Sequence, residues 1–443
     1  MAARVKLCAI ARNEGAYLAD WVFHHLHFGF DAVEVMVNAT EDPSLELLER
    51  IGSAYPQVSG RSADELREES IAKGWIFQHR AYARAARRAR RQGFTHAAFL
   101  DLDEYWTPRD LRSAVTGFLP EDPVVNVVSF PWGMDVPDPA RAPFTLPLTP
   151  PVRFQRDSHV KSVSRLDDTV ERYGMHTART SSGTALLVRD PFPGGDRVSD
   201  DELVASWGEL PEAFVLHATN RSQREYVASL AKGRRQIGGT AEYNVDRFGY
   251  LPTEAPVLTL VPEESALRAY DEARRAFLTE VDVDDLTERS QGLVADRADG
   301  VVARLVEDRS LLELLRGPLR GVREPALDAA YPGWDDRVVW WVDSVSEASV
   351  TGWAYLAGGP GEHRELEFGL RDADHREWTD LAVTRVARPE VVAERPGAPL
   401  DCGFEVRVPD ALEGDLAGAQ LLARPVGSAT WEATRLSRVL SAP

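Results

Sequence analysis

The stretch His96-Ala97-Ala98-Phe99-Leu100-Asp101-Leu102-Asp103-Glu104-Tyr105-Trp106 constrains this chain more than any other. An apolar run from Ala97 to Leu100, closed by Leu102, delivers two aspartates one residue apart and then a glutamate. Short apolar runs bounded by polar residues read as buried strands of a parallel sheet. Such sheets meet their ligands beyond the carboxyl ends of the strands. Carboxylates buried there without partners would be costly, so Asp101 and Asp103 are expected to face a crevice and hold a cation. A divalent ion held by one or two carboxylates together with substrate phosphates is a common way to neutralise a diphosphate. Taken alone, an Asp-x-Asp is more simply an acidic strand end that reaches water, because so short a motif recurs by chance.

Around that strand the chain alternates between two periods. Residues 5–10 read as a strand, 16–28 as a helix with Leu18, Trp21, Val22, His25 and Phe28 at helical spacing, and 33–37 as a second strand. Residues 43–51 form a short helix with proline in its first turn. A long helix over 76–92 then feeds the strand that carries Asp101. Its Arg80, Arg84, Arg87, Arg88, Arg90 and Arg91 read as a solvated face opposite Ile76, Phe77, Ala81, Ala85 and Ala89. Strand–helix–strand–helix order implies an α/β fold with a doubly wound parallel sheet. From 107 to 160 prolines multiply and strands shorten (124–130), which reads as loops with a smaller antiparallel portion beside the site.

Helices are expected at 264–277 and 301–315. A boundary in 317–334 follows, and beyond it the pattern changes. Leu366, Phe368 and Leu370 alternate with other residues, as do Phe404, Val406 and Val408, and further strands fall at 350–355, 381–386 and 420–424. Strands at this spacing, parted by Gly, Pro and Asp, make an antiparallel β-sandwich. The expected organisation is therefore a nucleotide-binding domain over 1–262, a helical connector over 263–330 and a β-sandwich over 331–443.

Composition narrows the partners. A formal net charge of −19 argues against nucleic acid or an anionic membrane surface. Cys8 and Cys402 sit far apart in apolar strand patterns and read as buried, reduced thiols without metal spacing. The first residues carry no signal-peptide core, and no apolar run approaches the ~20 residues of a membrane span. A cytoplasmic location is expected.

The first strand ends in Ala11-Arg12-Asn13-Glu14-Gly15 and the second in Asn38-Ala39-Thr40-Glu41-Asp42, two polar loops at one sheet edge. Nucleotides are usually met there, although Asn13 or Asp42 would serve equally as a helix cap. No Gly-x-Gly-x-x-Gly follows the first strand, which weakens a dinucleotide reading. His24, His25 and His27 do not share one helical face as zinc ligands would, and His25 reads as a core histidine.

The blocks CAIARNEGAYLADWVFHHLHFGFDAVEVMVN, QHRAYARAA and FLDLDEYW are followed by Lys161-Ser162-Val163 with His176. Leu216-His217 with Ser222, Tyr226 and Lys232-Gly233-Arg234 comes next. In this order and spacing they resemble the glycosyltransferase family 2-like group, closest to the branch related to glycosyltransferase family 92, over residues 5–240. The resemblance implies a GT-A fold, a nucleotide-sugar donor (a UDP-sugar), Mn2+ or Mg2+, and a glycan or small-molecule hydroxyl acceptor. It also implies an inverting transfer. It would set Ala11, Arg12, Asn13, Glu14, Asn38, Thr40 and Asp42 around the nucleoside, with Gln78 beside base or ribose. Asp101, Leu102 and His176 would line the donor, Asp101, Asp103 and His217 would ligate the metal, and Lys161, Lys232 and Arg234 would face the donor phosphates. Lysine is scarce here, four against 47 arginines, so two of them falling in these blocks is a supporting signal. The chain departs from the group's pattern at Val37-Asn38, where Asp-Asn is usual.

An inverting displacement needs a general base near the acceptor hydroxyl. Glu104 and Asp135, in Pro131-Trp132-Gly133-Met134-Asp135, are the candidates. The contrasting reading is a phosphatase of the haloacid dehalogenase type, whose Asp-x-Asp opens the domain and has Thr or Val where this chain has Tyr105. A non-catalytic nucleotide-sugar binder is the third. The carboxyl-terminal blocks Val350-Thr351-Gly352-Trp353-Ala354, Ala387-Arg388-Pro389-Glu390-Val391 and Cys402-Gly403-Phe404 resemble the β-sandwich appended to many bacterial glycosyltransferases. Acceptor engagement or homo-oligomerisation is the role expected of it. Trp353, Tyr355 and Trp378 could stack on a sugar there, but strand alternation places Trp353 in the core.

Overall fold

The computed structural model describes residues 2–192, 194–195, 197, 210–236, 239–252, 255–335, 337–357, 365–373, 375–394, 398–412, 416, 418–426 and 431–436. The chain divides into two compact units, Met1–Arg323 and Glu324–Pro443.

The first unit is built on β1 (Val5–Ala11), β2 (Ala32–Val37), β3 (Val58–Ser62) and β4 (His96–Phe99), parallel and in the order β3-β2-β1-β4. All of β2 and β4 and six of the seven residues of β1 are buried. Burial on both faces is why these strands are continuous apolar runs rather than alternating ones. Val5, Leu7 and Ala9 pack towards α1 (Gly15–His27) and α2 (Ser44–Ala54). Cys8, Met36 and Phe99 pack on the opposite face against Ala81, Tyr82, Ala85 and Ala89 of a basic helix, which follows the short α3 (Asp64–Ala72). That basic helix is α4 (Phe77–Arg91). Its arginines are mostly at the surface, as Arg84, Arg87, Arg90 and Arg91 are, but Arg88 is not. Arg88 turns inward to the fully buried Glu34, which Lys6 also reaches at 2.6 Å.

Beyond β4 the sheet turns antiparallel, as expected for part of 107–160. After the acid turn the chain returns as β5 (Glu104–Pro108) and then as two long strands, β6 (Val125–Asp135) and β7 (Val152–Arg165). β7 runs antiparallel to β4, and β6 antiparallel to β7, so the sheet is mixed. The expected shortness of the strands in 107–160 is corrected, because β6 and β7 span 11 and 14 residues. The strand Ala213–His217 pairs β5 antiparallel and β6 parallel.

The helix Gln223–Leu230, α5, opens with a capping box of Ser222 and Glu225. The long helices α6 (Glu264–Val281) and α7 (Asp284–Glu307) pack against α1 within the first unit. The single helix expected over 301–315 is broken. Asp308 ends α7, and its carboxylate accepts from the Ser310 and Leu311 N–H groups to start a new helix, Arg309–Leu315. No described helix is long and apolar enough to cross a membrane.

Among its described residues the second unit holds two four-stranded antiparallel sheets. Val350, Ala354, Phe404 and Val406 of one share a core with Phe368, Leu370, Leu421 and Ala423 of the other. The Phe368 and Phe404 ring centroids lie 4.7 Å apart. Trp353 points to the opposite face and is buried with Val391, Ala398 and Cys402.

Candidate functional site

The acid turn follows β4 directly, and α1 holds it by its backbone. Trp21 Nε1 donates to the carbonyls of Asp101 (3.1 Å) and Glu104 (2.9 Å). His24 Nε2 meets the Trp106 carbonyl at 2.8 Å, and His25 Nε2 accepts from the Trp106 N–H at 3.3 Å. The remaining ring nitrogens are satisfied too, His25 Nδ1 by the Trp21 carbonyl and His24 Nδ1 by the Tyr270 hydroxyl. Each imidazole therefore needs one donor and one acceptor nitrogen, the neutral form. Burial enforces this by lowering both pKa values, that of His25 to about 3. His25 is a core histidine, and His24 is its counterpart.

Three charged side chains lie behind the turn. Glu104 is fully buried and contacts Lys161 Nζ at 2.9 Å, and the Glu104 carboxylate also accepts from the Asp101 N–H at 2.8 Å. Lys161, itself only 2% exposed, reaches Asp101 at 3.4 Å. Burial alone would discharge the lysine, but the carboxylates of Asp101 and Glu104 keep it charged. Burial pushes Glu104 up to about 7 against the pull of Lys161. Lys161 is thus committed to the protein's own carboxylates.

Asp103 turns the other way, with His217 Nε2 3.5 Å from its carboxylate. The antiparallel ladder sets this contact, because His217 stands opposite Glu104 and the Ala218 N–H donates to the Asp103 carbonyl. Burial opposes ionisation of Asp103, yet His217, Arg221 and Arg247 hold it well below the usual carboxylate range. The same carboxylate raises His217 above its ordinary value, against burial. His217 Nδ1 is buried and finds no hydrogen-bond partner among the described residues.

The two polar loops are knitted to each other. Asn13, in the left-handed region at φ 55°, accepts from the Glu41 N–H at 2.8 Å and the Thr40 hydroxyl at 3.2 Å. Thr40 also donates to Asp42, and Asp42 accepts from the Gly15 N–H at 2.6 Å, at the start of α1. Asn38 Nδ2 donates to the Ala11 carbonyl. The helix-cap alternative thus describes Asp42, while Arg12 stays exposed. Gln78 donates to the buried Tyr82 hydroxyl, which in turn feels the charge of Asp101. His176 belongs to an aromatic cluster with Trp132 and His159. The Arg234 side chain lies outside the described residues. Asp135 is buried, and its carboxylate accepts from Arg141 (2.7 Å) and from the Asn220 and Arg221 N–H groups (both 3.1 Å).

Sequence reasoning missed Arg221, Arg247 and Arg297. Arg221 lies over the Tyr17 ring at 3.3 Å and reaches Glu14 at 3.2 Å, and Lys232 reaches the same carboxylate at 2.5 Å. Arg247 is anchored on Thr219 and Ser229. Arg297 comes from α7, far along the chain, and its Nη1 is buried without a partner among the described residues. With Asp103 these four cations line a pocket of about 150 Å³. A second cavity of about 310 Å³, lined in part by Asp135 and Arg141, shares Tyr17, Arg221 and Glu225 with the first. Only Arg221, four residues past His217, carried a local signal.

Among the described residues no three His, Cys, Asp or Glu side chains gather closely enough to hold a metal ion by themselves. Asp101 is drawn to Lys161, which leaves Asp103 and His217 as a two-ligand pair. Such a pair fits an ion that completes its shell with phosphate and water oxygens. No protein-family model matches the chain, and no curated protein matches it.

Proposed function

We propose that the first unit is a metal-dependent glycosyltransferase that takes a sugar from a nucleoside diphosphate, a UDP-sugar in the first instance, to a hydroxyl acceptor. The observation that carries the reading is the pocket beside Asp103, where Arg221, Lys232, Arg247 and Arg297 outnumber the carboxylates of Glu14, Asp103 and Glu225. An arginine N–H buried without an acceptor is costly, so an anionic ligand fits there. The pocket lies beyond the carboxyl end of β4, where ligands of parallel sheets bind. Fixed cations around a departing diphosphate stabilise the charge it develops. Mn2+ or Mg2+ would be held by Asp103 and His217 and would supply Lewis-acid stabilisation of that leaving group.

The test is calorimetry of UDP, with and without manganese. Tight binding is expected only with the metal. Asp103→Asn should abolish the metal dependence, and Arg297→Met should weaken binding at least tenfold, about 1.4 kcal/mol. Equal affinity in a chelator, or an aspartyl phosphate trapped at Asp101, would overturn the reading in favour of a phosphatase or a simple binder.

A further inference from the structure

A transferase of this kind needs a base at the acceptor hydroxyl, and neither expected carboxylate is free for that work. Glu104 is closed off behind the acid turn, and Asp135 spends both oxygens on Arg141, Asn220 and Arg221. The β6–β7 ladder points elsewhere. Pro131 pairs with Val160, but Gly133 pairs with Arg156, so residues 157–159 bulge from β7 opposite Trp132. Bulges re-aim side chains and are frequent beside active sites.

This bulge presents an oriented imidazole. His159 Nδ1 lies 2.6 Å from the Asp157 carboxylate, which also accepts the His159 N–H at 2.8 Å. An ionised carboxylate can only accept, so Nδ1 carries the hydrogen and the Nε2 lone pair is left as the basic site. That lone pair accepts from Arg197 Nε at 3.0 Å, on an exposed side chain that an incoming hydroxyl can displace. The His159 ring is 24% exposed. Its neighbour Trp132 lies 5.1 Å from His159 and 4.3 Å from His217, the metal-facing histidine, so a single indole spans the two. Trp132 Nε1 is buried without a partner among the described residues, a donor waiting for a ligand oxygen.

We propose that His159, oriented by Asp157 on the β7 bulge and set against Trp132, is the general base of the transfer. This rests on the glycosyltransferase reading above. In the step, the acceptor oxygen forms a bond to the anomeric carbon as its proton passes to His159 Nε2. The bond from that carbon to the diphosphate oxygen breaks, and the nucleoside diphosphate leaves with the electron pair. Asp157 is a positioning residue, which holds the tautomer and stabilises the imidazolium. Among the described residues, the charged or titratable groups facing His159 are Asp157, Arg197 and His176.

Full-length protein with manganese should be screened against UDP-glucose, UDP-galactose and UDP-N-acetylglucosamine, following UDP release to water and to added sugars. His159→Gln should leave UDP affinity within twofold and lower the release rate by about 100-fold or more. Added imidazole should restore rate to His159→Gly, and Asp157→Asn should lower kcat and move the acidic limb of its pH profile. Release by His159→Gln within threefold of wild type, or a Gly variant deaf to imidazole, would overturn the proposal. Wild-type protein that neither binds UDP nor releases it from any donor would instead overturn the transferase reading itself.

Discussion

Lys161 was expected among the groups facing donor phosphate, yet it lies behind the acid turn and spends its charge on Glu104 and Asp101. The replacement Lys161→Met keeps the volume and removes the charge. Glu104, fully buried, would then keep only the Asp101 N–H as a partner for its Oε2. Breaking a buried ion pair from one side costs about 3–5 kcal/mol, because the surviving charge is stranded. With a urea slope near 3 kcal/mol per M for a unit of this size, the midpoint of the first unit should fall by roughly 1–1.7 M. Adding Glu104→Gln to that background removes the stranded charge and should recover about 2 kcal/mol, the coupling expected within one network. Urea unfolding of the full chain at pH 8, followed by circular dichroism, gives both values. Should Lys161→Met lose less than a tenth of the expected shift, or should the second change add its own loss, the lysine is solvated and the buried Lys161–Glu104 pair does not exist in solution.

Acid should weaken the first unit. Burial lowers His25 to about 3, and burial with the nearby Arg165 lowers His96 to about 4, from 6.5. The unfolded chain therefore takes up protons first, so stability is full above pH 6.5 and is lost as pH falls towards 4. His96→Asn should reduce the loss in urea stability between pH 8 and pH 5 by about 2 kcal/mol, and an unchanged pH slope would refute this. In the second unit, Phe404→Ala removes a ring packed on Phe368 across the two sheets and should cost about 3–5 kcal/mol in urea unfolding, against less than 1 for the exposed Val426→Ala.

β1, β2 and β4 were legible because they are buried on both faces, and the β4 run could be read straight to Asp101, whereas β3, with only Val58 buried, left no apolar run to read. The antiparallel half was not legible. β7 carries Gln155, Arg156, Asp157, Ser158 and His159 in its middle, and a bulge there erases the period-2 signal that identifies a strand. The break at Asp308 was hidden because leucines on either side continue a helical spacing across a cap. At the site, residues contiguous with the acid motif were readable by their position. Arg247 and Arg297 come from distant segments and look like any of the other arginines until the chain is folded. Asp135 shows the reverse case, since its sequence position at the end of β6 gives no sign of the three hydrogen bonds that its carboxylate accepts.

The attachment of the acid turn to α1 has a bearing on how such a site can change over time. Trp21, His24 and His25 grip main-chain atoms of residues 101, 104 and 106 and make no use of the Asp101 or Asp103 side chains. Shape is encoded in one helix and chemistry in the loop it holds. Exchanging either aspartate for another ligand leaves every one of those bonds in place, so descendants of this chain could sample different ions, or none, without first relearning how to fold.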